Sequence, residues 1–378
     1  MLRTGPIGES ESVTKPHSIV SDHGPVASLQ PVVTPDRRAP QRPRAGRRRP
    51  TIHDVAREAG VSYGTVSRFL NGGKWVSAEA RRSIERAISR TGYTANPHAR
   101  SLVTGRSGSI AFLLPEPQHV LFEDPNLSIL LRGVTQAVSD RQLALILMIA
   151  STDAERDRVV EYLAGGHVDG VLLISSHNGD PLLPRLAAAD VPVVATGRPG
   201  FEESIGTVTA DDFAGARSAV DHLLRVGRRR IATITGPQDT SGGTERLRGF
   251  RQSLASHDRS EDEALIEYGD WSRDSGSAAM RKLLDRCPDL DAVFAANDLM
   301  AAGALTVLRD AGRIVPDDVH LVGFDDTGLA ETLDPPLTTV RQPLDRISRE
   351  MVRLITENAD SLPMSVTIPT KLIIRESG

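Results

Sequence analysis

Four stretches place polar side chains at the ends of apolar runs: Ser175-Ser176, Gly197-Arg198, Asn297-Asp298 and Asp325-Asp326. Arg246 opens a helical segment after the loop in TGPQDTSGGTERLRGF, and Trp271 lies in GDWSRDSG. Carboxylate, amide and guanidinium groups around one indole suit a polyhydroxylated ring. Its hydroxyls take paired polar partners and its CH face lies on an aromatic plate. Each residue also has a plainer reading. Asp298 caps a helix, Asp326 is a turn residue, Trp271 packs, and Arg198 faces solvent. Hydrolysis of a glycoside by Asp325 and Asp326 is disfavoured, because adjacent carboxyls on one loop cannot flank a bond from opposite sides. The chain has no H-E-x-x-H, Walker A or paired C-x-x-C. A Ca²⁺ or Mg²⁺ site at the aspartates has no loop signature, and neither a metal nor a cofactor is expected.

The elements that must carry these residues alternate. Strand candidates begin at Ile110, Leu143, Asp169, Val191, Ile231, Asp291 and Val319. Helix candidates span Ser128 to Ser139, Ala154 to Ala164, Phe213 to Val226, Glu245 to Ser256, Asp274 to Arg286, Leu299 to Asp310 and Leu344 to Asn358. Near-continuous aliphatic runs separated by amphipathic segments predict parallel sheets buried on both faces. There are too many strands for one small sheet, so two Rossmann-like lobes are expected. In such sheets ligands sit beyond the carboxyl ends of the strands, where the polar residues fall.

Charge divides the chain differently. Between Arg37 and Arg106 lie 16 Lys/Arg and 4 Asp/Glu, a balance of +12 in a chain of net charge −4. That asymmetry suits a polyanion-binding end on an acidic body. The run RRAPQRPRAGRRR is equally compatible with a solvated tail. Within the basic part, Thr51 and Asp54 mark a helix start and Gly60 its end. Ser62 caps a second helix, Tyr63 to about Leu70, ended by Asn71-Gly72-Gly73. Ser77 caps a third, from Ala78 to Arg90. Val55, Ala59, Val61, Val66, Leu70, Ile84 and Ile88 recur at helical spacing and close one small core. Two helices joined by a glycine turn on a basic unit form a helix-turn-helix, although three-helix units also serve as protein-protein modules. With Val66 and Leu70 inward, Tyr63, Gly64, Ser67 and Arg68 face outward. Arg68 can fork onto guanine. Pro97 begins a segment of barely two turns, too short to be a stable helix alone.

Thr51 to Gly105 resembles the DNA-binding headpiece and hinge of the lactose/galactose repressor family of bacterial transcription regulators. DVAREAGVSYGTVSRFLNG and VSAEARRSIERAISRTGYTANPHARSL carry the likeness. It extends to about Ser377 through RLRGF, FAAND, VGFDD, DPPLTTVRQP and LIIRES. The resemblance implies a DNA-facing set of Thr51, Ser62, Tyr63, Gly64, Thr65, Ser67, Arg68 and Asn71. It also implies a hinge in which Ala99 and Leu102 enter the minor groove, Leu102 as a wedge. Gly64 stands where other members carry a large polar residue, so a different operator is expected. Arg246, Asn297, Asp325 and Gln342 fall on the family's effector contacts, and Trp271 on the aromatic of the galactoside-responsive member. Asp124, in LFEDPNLSILLRGV, falls in the first-lobe loop of the cleft. Gly197 replaces a carboxylate found in some relatives, with Arg198 beside it.

The expected arrangement is a basic arm (1–49), an all-α helix-turn-helix headpiece (50–96), a hinge (97–106) and an α/β periplasmic-binding-protein-like core of two lobes (107–378). The expected function is that of a homodimeric repressor binding near-palindromic double-stranded operator DNA under control of a sugar. Without a leucine-heptad tail after RESG, a dimer is favoured over a tetramer. The longest apolar run, Leu143 to Ala150, is too short to span a bilayer. The N-terminus lacks a signal-peptide core, and one cysteine, Cys287, excludes an intrachain disulfide. A cytoplasmic location is therefore expected. A carbohydrate-acting enzyme and an exported sugar-binding protein are the rival readings.

Overall fold

The structure is a computed structural model describing residues 50–70, 75–94, 106–259 and 262–378. The basic arm, Asn71 and the hinge residues Ala99 and Leu102 lie outside the described residues.

The headpiece holds α1 (Ile52–Ala59), α2 (Tyr63–Leu70) and α3 (Ala78–Thr91). The Asp54 carboxylate accepts both the backbone N–H of Thr51 (2.9 Å) and its hydroxyl (2.8 Å), which fixes the start of α1. Gly60 ends it at φ +67°, with its N–H on the carbonyls of Ala56 and Arg57. This left-handed residue turns the chain into α2. Ser77 caps α3 by accepting the Ala80 N–H at 3.2 Å. Val55, Ala56, Val66, Ile84 and Ala87 are buried together, with Ile52, Val61, Phe69, Leu70 and Ile88 around them.

The core contains two six-stranded sheets. The first holds β1 (Ser109–Leu114), β2 (Ala144–Ile149), β3 (Gly170–Leu173), β4 (Val193–Thr196), β5 (Gly206–Ala210) and β11 (Ser365–Ile368). Its order is β11-β5-β4-β3-β1-β2, with all pairs parallel. The second holds β6 (Ile231–Thr235), β7 (Ile266–Tyr268), β8 (Ala292–Ala295), β9 (His320–Asp325), β10 (Thr338–Arg341) and β12 (Lys371–Ile373). Its order is β12-β10-β9-β8-β6-β7, and only the β10–β12 pair is antiparallel.

Helices cover both faces of each sheet. They are α4 (Val120–Glu123), α5 (Pro125–Ser139), α6 (Asp153–Ala164) and α7 (Leu182–Ala188) on the first. On the second they are α8 (Asp212–Arg225), α9 (Ser241–Ser256), α10 (Arg273–Arg286), α11 (Asp298–Asp310) and α12 (Gly328–Thr332). The last helix, α13 (Leu344–Glu357), returns to the first lobe, where Leu344, Ile347, Met351 and Ile355 pack with Leu130 and Val134 of α5. Each sheet thus separates two apolar layers.

The chain passes between lobes three times: from β5 to α8, from β10 to α13, and from β11 to β12. Two of these crossings are tied together. Asp211 donates its N–H to the Ile368 carbonyl (2.9 Å), and the Thr370 hydroxyl donates to the Asp211 carbonyl (3.1 Å).

Candidate functional site

In the headpiece, Tyr63 and Arg68 are exposed at opposite ends of α2 while Val66 between them is fully buried. His53 of α1 stacks on Tyr63 with ring centroids 4.9 Å apart, which holds the phenol at the start of α2. The sequence reading did not single out His53. The hydroxyls of Ser62 and Thr65 are 2.9 Å apart, and Ser62 also accepts the Thr65 N–H. Arg68 donates from Nε to the Gly64 carbonyl at 3.1 Å, which orients the guanidinium along its own helix. A Cβ built on Gly64 would meet no atom closer than 3.9 Å, so a larger side chain fits there without a clash. Ser67 is partly exposed on the same helix, and Thr51 is half-buried at the start of α1. Gly60 to Gly64 also spells G-x-S-x-G, but here it is a helix-helix turn. The strand-to-helix elbow that exposes a nucleophilic serine is missing.

Between the lobes lies a cavity bordered by Asp124, Ser175, Thr196, Thr240, Arg246, Trp271 and Gln342, with Asp212 and Leu127 at its sides. Strand ends of both sheets meet there, as the topology requires. Four non-glycine residues at this junction hold positive φ: Ser175 at 58°, Trp271 at 74°, Asp325 at 117° and Asp326 at 56°. Backbone held in sparsely populated regions costs free energy and gathers where geometry serves binding.

Arg246 is the central cation. It sits in the second turn of α9, which begins at Ser241 rather than near Glu245 as the sequence suggested. The Gly242-Gly243 pair that read as loop is its first turn. A Cβ on Gly243 would lie 2.0 Å from the Pro237 carbonyl, so only glycine permits this approach. The buried guanidinium donates to Asp212 Oδ1 (2.8 Å), to the Ala296 carbonyl (2.5 Å) and to Asp325 Oδ1 (3.4 Å). It lies 3.7 Å over the Phe324 ring and 5.3 Å from that of Trp271.

Asp325 is deeply buried. It accepts from Gln342 Nε2 (2.7 Å) on Oδ1 and from Asn126 Nδ2 (2.7 Å) on Oδ2, the latter across the cleft. Burial pushes its carboxyl up to about 7, against the opposing pull of Arg246. Asp124 caps α5 by accepting the Asn126 N–H at 2.9 Å. Burial raises its carboxyl above the ordinary range.

Not every residue singled out reaches the cavity. Asn297 caps α11 by accepting the Met300 N–H (2.8 Å) and donates to the Trp271 carbonyl (2.9 Å), so both ends of its amide are engaged within the second lobe. It ties down the Trp271 backbone, and neither it nor Asp325 borders the cavity. Asp298, read as a helix cap, is instead buried beneath the site. It accepts the Thr339 hydroxyl (2.6 Å) and the Thr327 N–H (3.0 Å). Burial, followed by the charge of Asp325, holds its carboxyl well above the usual range. Asp326 is gripped by Arg341 (2.5 Å) and Arg375 (2.7 Å). The Arg198 side chain points at the rim toward Thr367 (3.3 Å), while its backbone N–H donates to Ser241 across the cleft (3.0 Å). Asn126 and Asp212, which no motif marked, prove to be partners of Asp325 and Arg246. Among the described residues no cluster of His, Cys, Asp and Glu could hold a metal ion, and no helix is long and apolar enough to cross a membrane.

A helix-turn-helix unit joined to a two-lobed core with a polar cleft defines a transcription regulator whose DNA binding answers to a small molecule. Residues 51–96 match the pattern of the bacterial regulatory proteins of the lacI family, and residues 220–378 match a periplasmic binding protein-like domain. Over 337 residues the chain is 47% identical to the HTH-type transcriptional regulator CelR of Thermobifida fusca, covering 88% of this chain and 99% of the relative. It also resembles the solved structure of a transcriptional regulator CelR–cellobiose complex, with a TM-score of 0.70 and 45% identity over 87% of this chain and all of that one. A lac repressor dimer bound to operator and the anti-inducer ONPF matches with a TM-score of 0.76 and 25% identity, over 87% of this chain and 99% of that one. The chain belongs to the lacI family of bacterial regulatory proteins.

Proposed function

We propose that this regulator is a cytoplasmic homodimeric repressor whose effector is a sugar, with cellobiose or a related β-glucoside as the first candidate. The observation that carries this is the cleft itself. Trp271 offers an aromatic face beside Arg246, while Asp124, Ser175 and Thr240 offer hydroxyl and carboxylate partners around it. That is the pairing a pyranose requires, and a relative at 45% identity has been solved with cellobiose. In this reading Arg246 and Gln342 orient the ligand, and Asp325 fixes both of them. Asn297 acts by holding Trp271. Each headpiece places both Tyr63 and Arg68 in one half-site, and the two-fold symmetry of the dimer sets a near-palindrome. Thr51, Ser62, Thr65 and Ser67 complete the DNA-facing surface.

An enzymatic role for Asp325 and Asp326 is disfavoured, because Asp325 accepts from Asn126 and Gln342 on its two oxygens and Asp326 is ion-paired with Arg341 and Arg375. The test is operator binding by fluorescence anisotropy with cellobiose and a panel of other mono- and disaccharides. A shift in operator affinity confined to glucosides supports the reading. A shift with a nucleoside, and none with any sugar, would leave the family intact and remove the sugar.

A further inference from the structure

Beside the effector cavity, three residues from three strand ends meet. Glu116 follows β1 and His177 follows β3, both in the first lobe. Asp239 lies in the loop between β6 and α9, in the second. The His177 ring has a carboxylate oxygen at each nitrogen. Nε2 is 2.8 Å from Glu116 and Nδ1 is 2.8 Å from Asp239. A neutral imidazole has one N–H and would turn a lone pair toward one of these carboxylates. Both contacts are hydrogen bonds only in the imidazolium form. The backbone repeats the connection, since the Asn178 N–H donates to the Asp239 carbonyl across the cleft at 2.6 Å. The same Glu116 oxygen that meets His177 accepts the hydroxyl of Ser175 at 2.7 Å, and Ser175 borders the cavity.

We propose that Glu116, His177 and Asp239 form an ionic clasp that holds the two lobes closed and links closure to occupancy of the effector cleft through Ser175. They are positioning residues, since none of the three borders the cavity. The clasp stands on its own geometry. Only its role in the response rests on the cleft being the effector site. Glu116 and Asp239 are the charged groups facing the ring. Their hydrogen bonds, Glu116's foremost, outweigh partial burial and raise His177 to about 9. A histidine whose value is raised by closing favours closure fully below its ordinary value of about 6.5. That help declines as pH rises and is gone above about 9.

The test uses the full chain with no sugar added. Spin labels at Arg158→Cys on α6 and Arg281→Cys on α10, both exposed positions on different lobes, report the interlobe distance. Dilution with unlabelled protein keeps the distances within one chain, and the native Cys287 is buried. At pH 7, His177→Gln and Asp239→Asn should each move the distribution toward longer distances. Raising the pH from 6 to 10 should move the parent protein the same way and leave His177→Gln unmoved. Asp239 is largely exposed, so its variant guards against misfolding as the explanation. Parent-like distances in both variants, or a pH response in His177→Gln equal to the parent's, would overturn the clasp. A separate arm adds cellobiose to the parent. No change in distance or operator affinity there would count against the sugar and leave the clasp to be judged on the pH arms.

Discussion

Gly236 lies directly beneath the indole of Trp271: a Cβ added to the glycine would fall 2.1 Å from Trp271 Cη2. The plate at the cleft is thus seated on bare backbone, and its own backbone is held by Asn297. Gly236→Ala should displace the ring, weaken sugar binding and lower stability by about 1–3 kcal/mol as overpacking does. Sugar titration with urea unfolding reads both. Unchanged affinity with a folded protein would show that the indole position does not matter to the ligand.

The two tryptophans should report on separate events. Trp75, just before α3, is 90% exposed, whereas Trp271 packs against the second-lobe core. With Trp75→Phe, the remaining emission should respond to sugar. With Trp271→Phe, it should respond to operator DNA, be readily quenched by iodide and ignore sugar. A sugar response that persists in Trp271→Phe would place the ligand elsewhere.

Arg246→Ala is expected to do more than silence the effector. Arg246 is buried against Asp212 and Asp325, and removing one partner of such a set leaves buried carboxylates unpaired. Breaking a pair of this kind costs about 3–5 kcal/mol. The variant should unfold at markedly lower urea as well as lose the response. A parent-like urea midpoint would show that the guanidinium has no structural share.

Asp325→Asn tests the buried carboxyl. A carboxyl raised to about 7 binds its proton more tightly in the folded state. Its contribution to stability is therefore full at low pH and declines as pH rises from the ordinary carboxylate range through 7. The amide cannot titrate, so the stability-pH curve of the variant should be flatter than the parent's between pH 5 and 8. Parallel curves would mean that another group dominates that window.

Arg68→Ala should weaken binding to the specific operator by about 1–3 kcal/mol and leave random DNA nearly unaffected. Anisotropy on both sequences decides it, and equal losses would assign Arg68 to phosphate.

The seven strands read from the sequence are all present, and their aliphatic runs made them legible. The five that were not anticipated are short or rich in threonine: GTVTA, IEY, TTVR, SVTI and KLI. Thr207, Thr209, Thr338 and Thr339 count as polar in a periodicity argument, yet all are buried, with their hydroxyls satisfied internally. Four of these five strands flank the crossings between lobes, so the lobes were visible and their connections were not. The site divides similarly. Arg246, Trp271, Gln342 and Asp124 were marked by motif. Asn126, Asp212 and the Glu116–His177–Asp239 set were not, because their partners are distant in the chain and no local spacing encodes the pairing.

The triple crossing bears on how the protein is made. Chains emerge from the ribosome in sequence, and domains ordinarily fold as they appear. Here the first sheet waits for β11 and its covering helix α13, which come after nearly all of the second lobe has been synthesised. The second sheet in turn receives β12 only after β11. The first lobe must therefore remain unfinished, with the β5 edge unpaired, while the segment from Asp212 to Arg341 of its neighbour is translated. The two lobes are completed within the last stretch of translation, almost together, and a chain stalled before Ser365 would release neither in finished form.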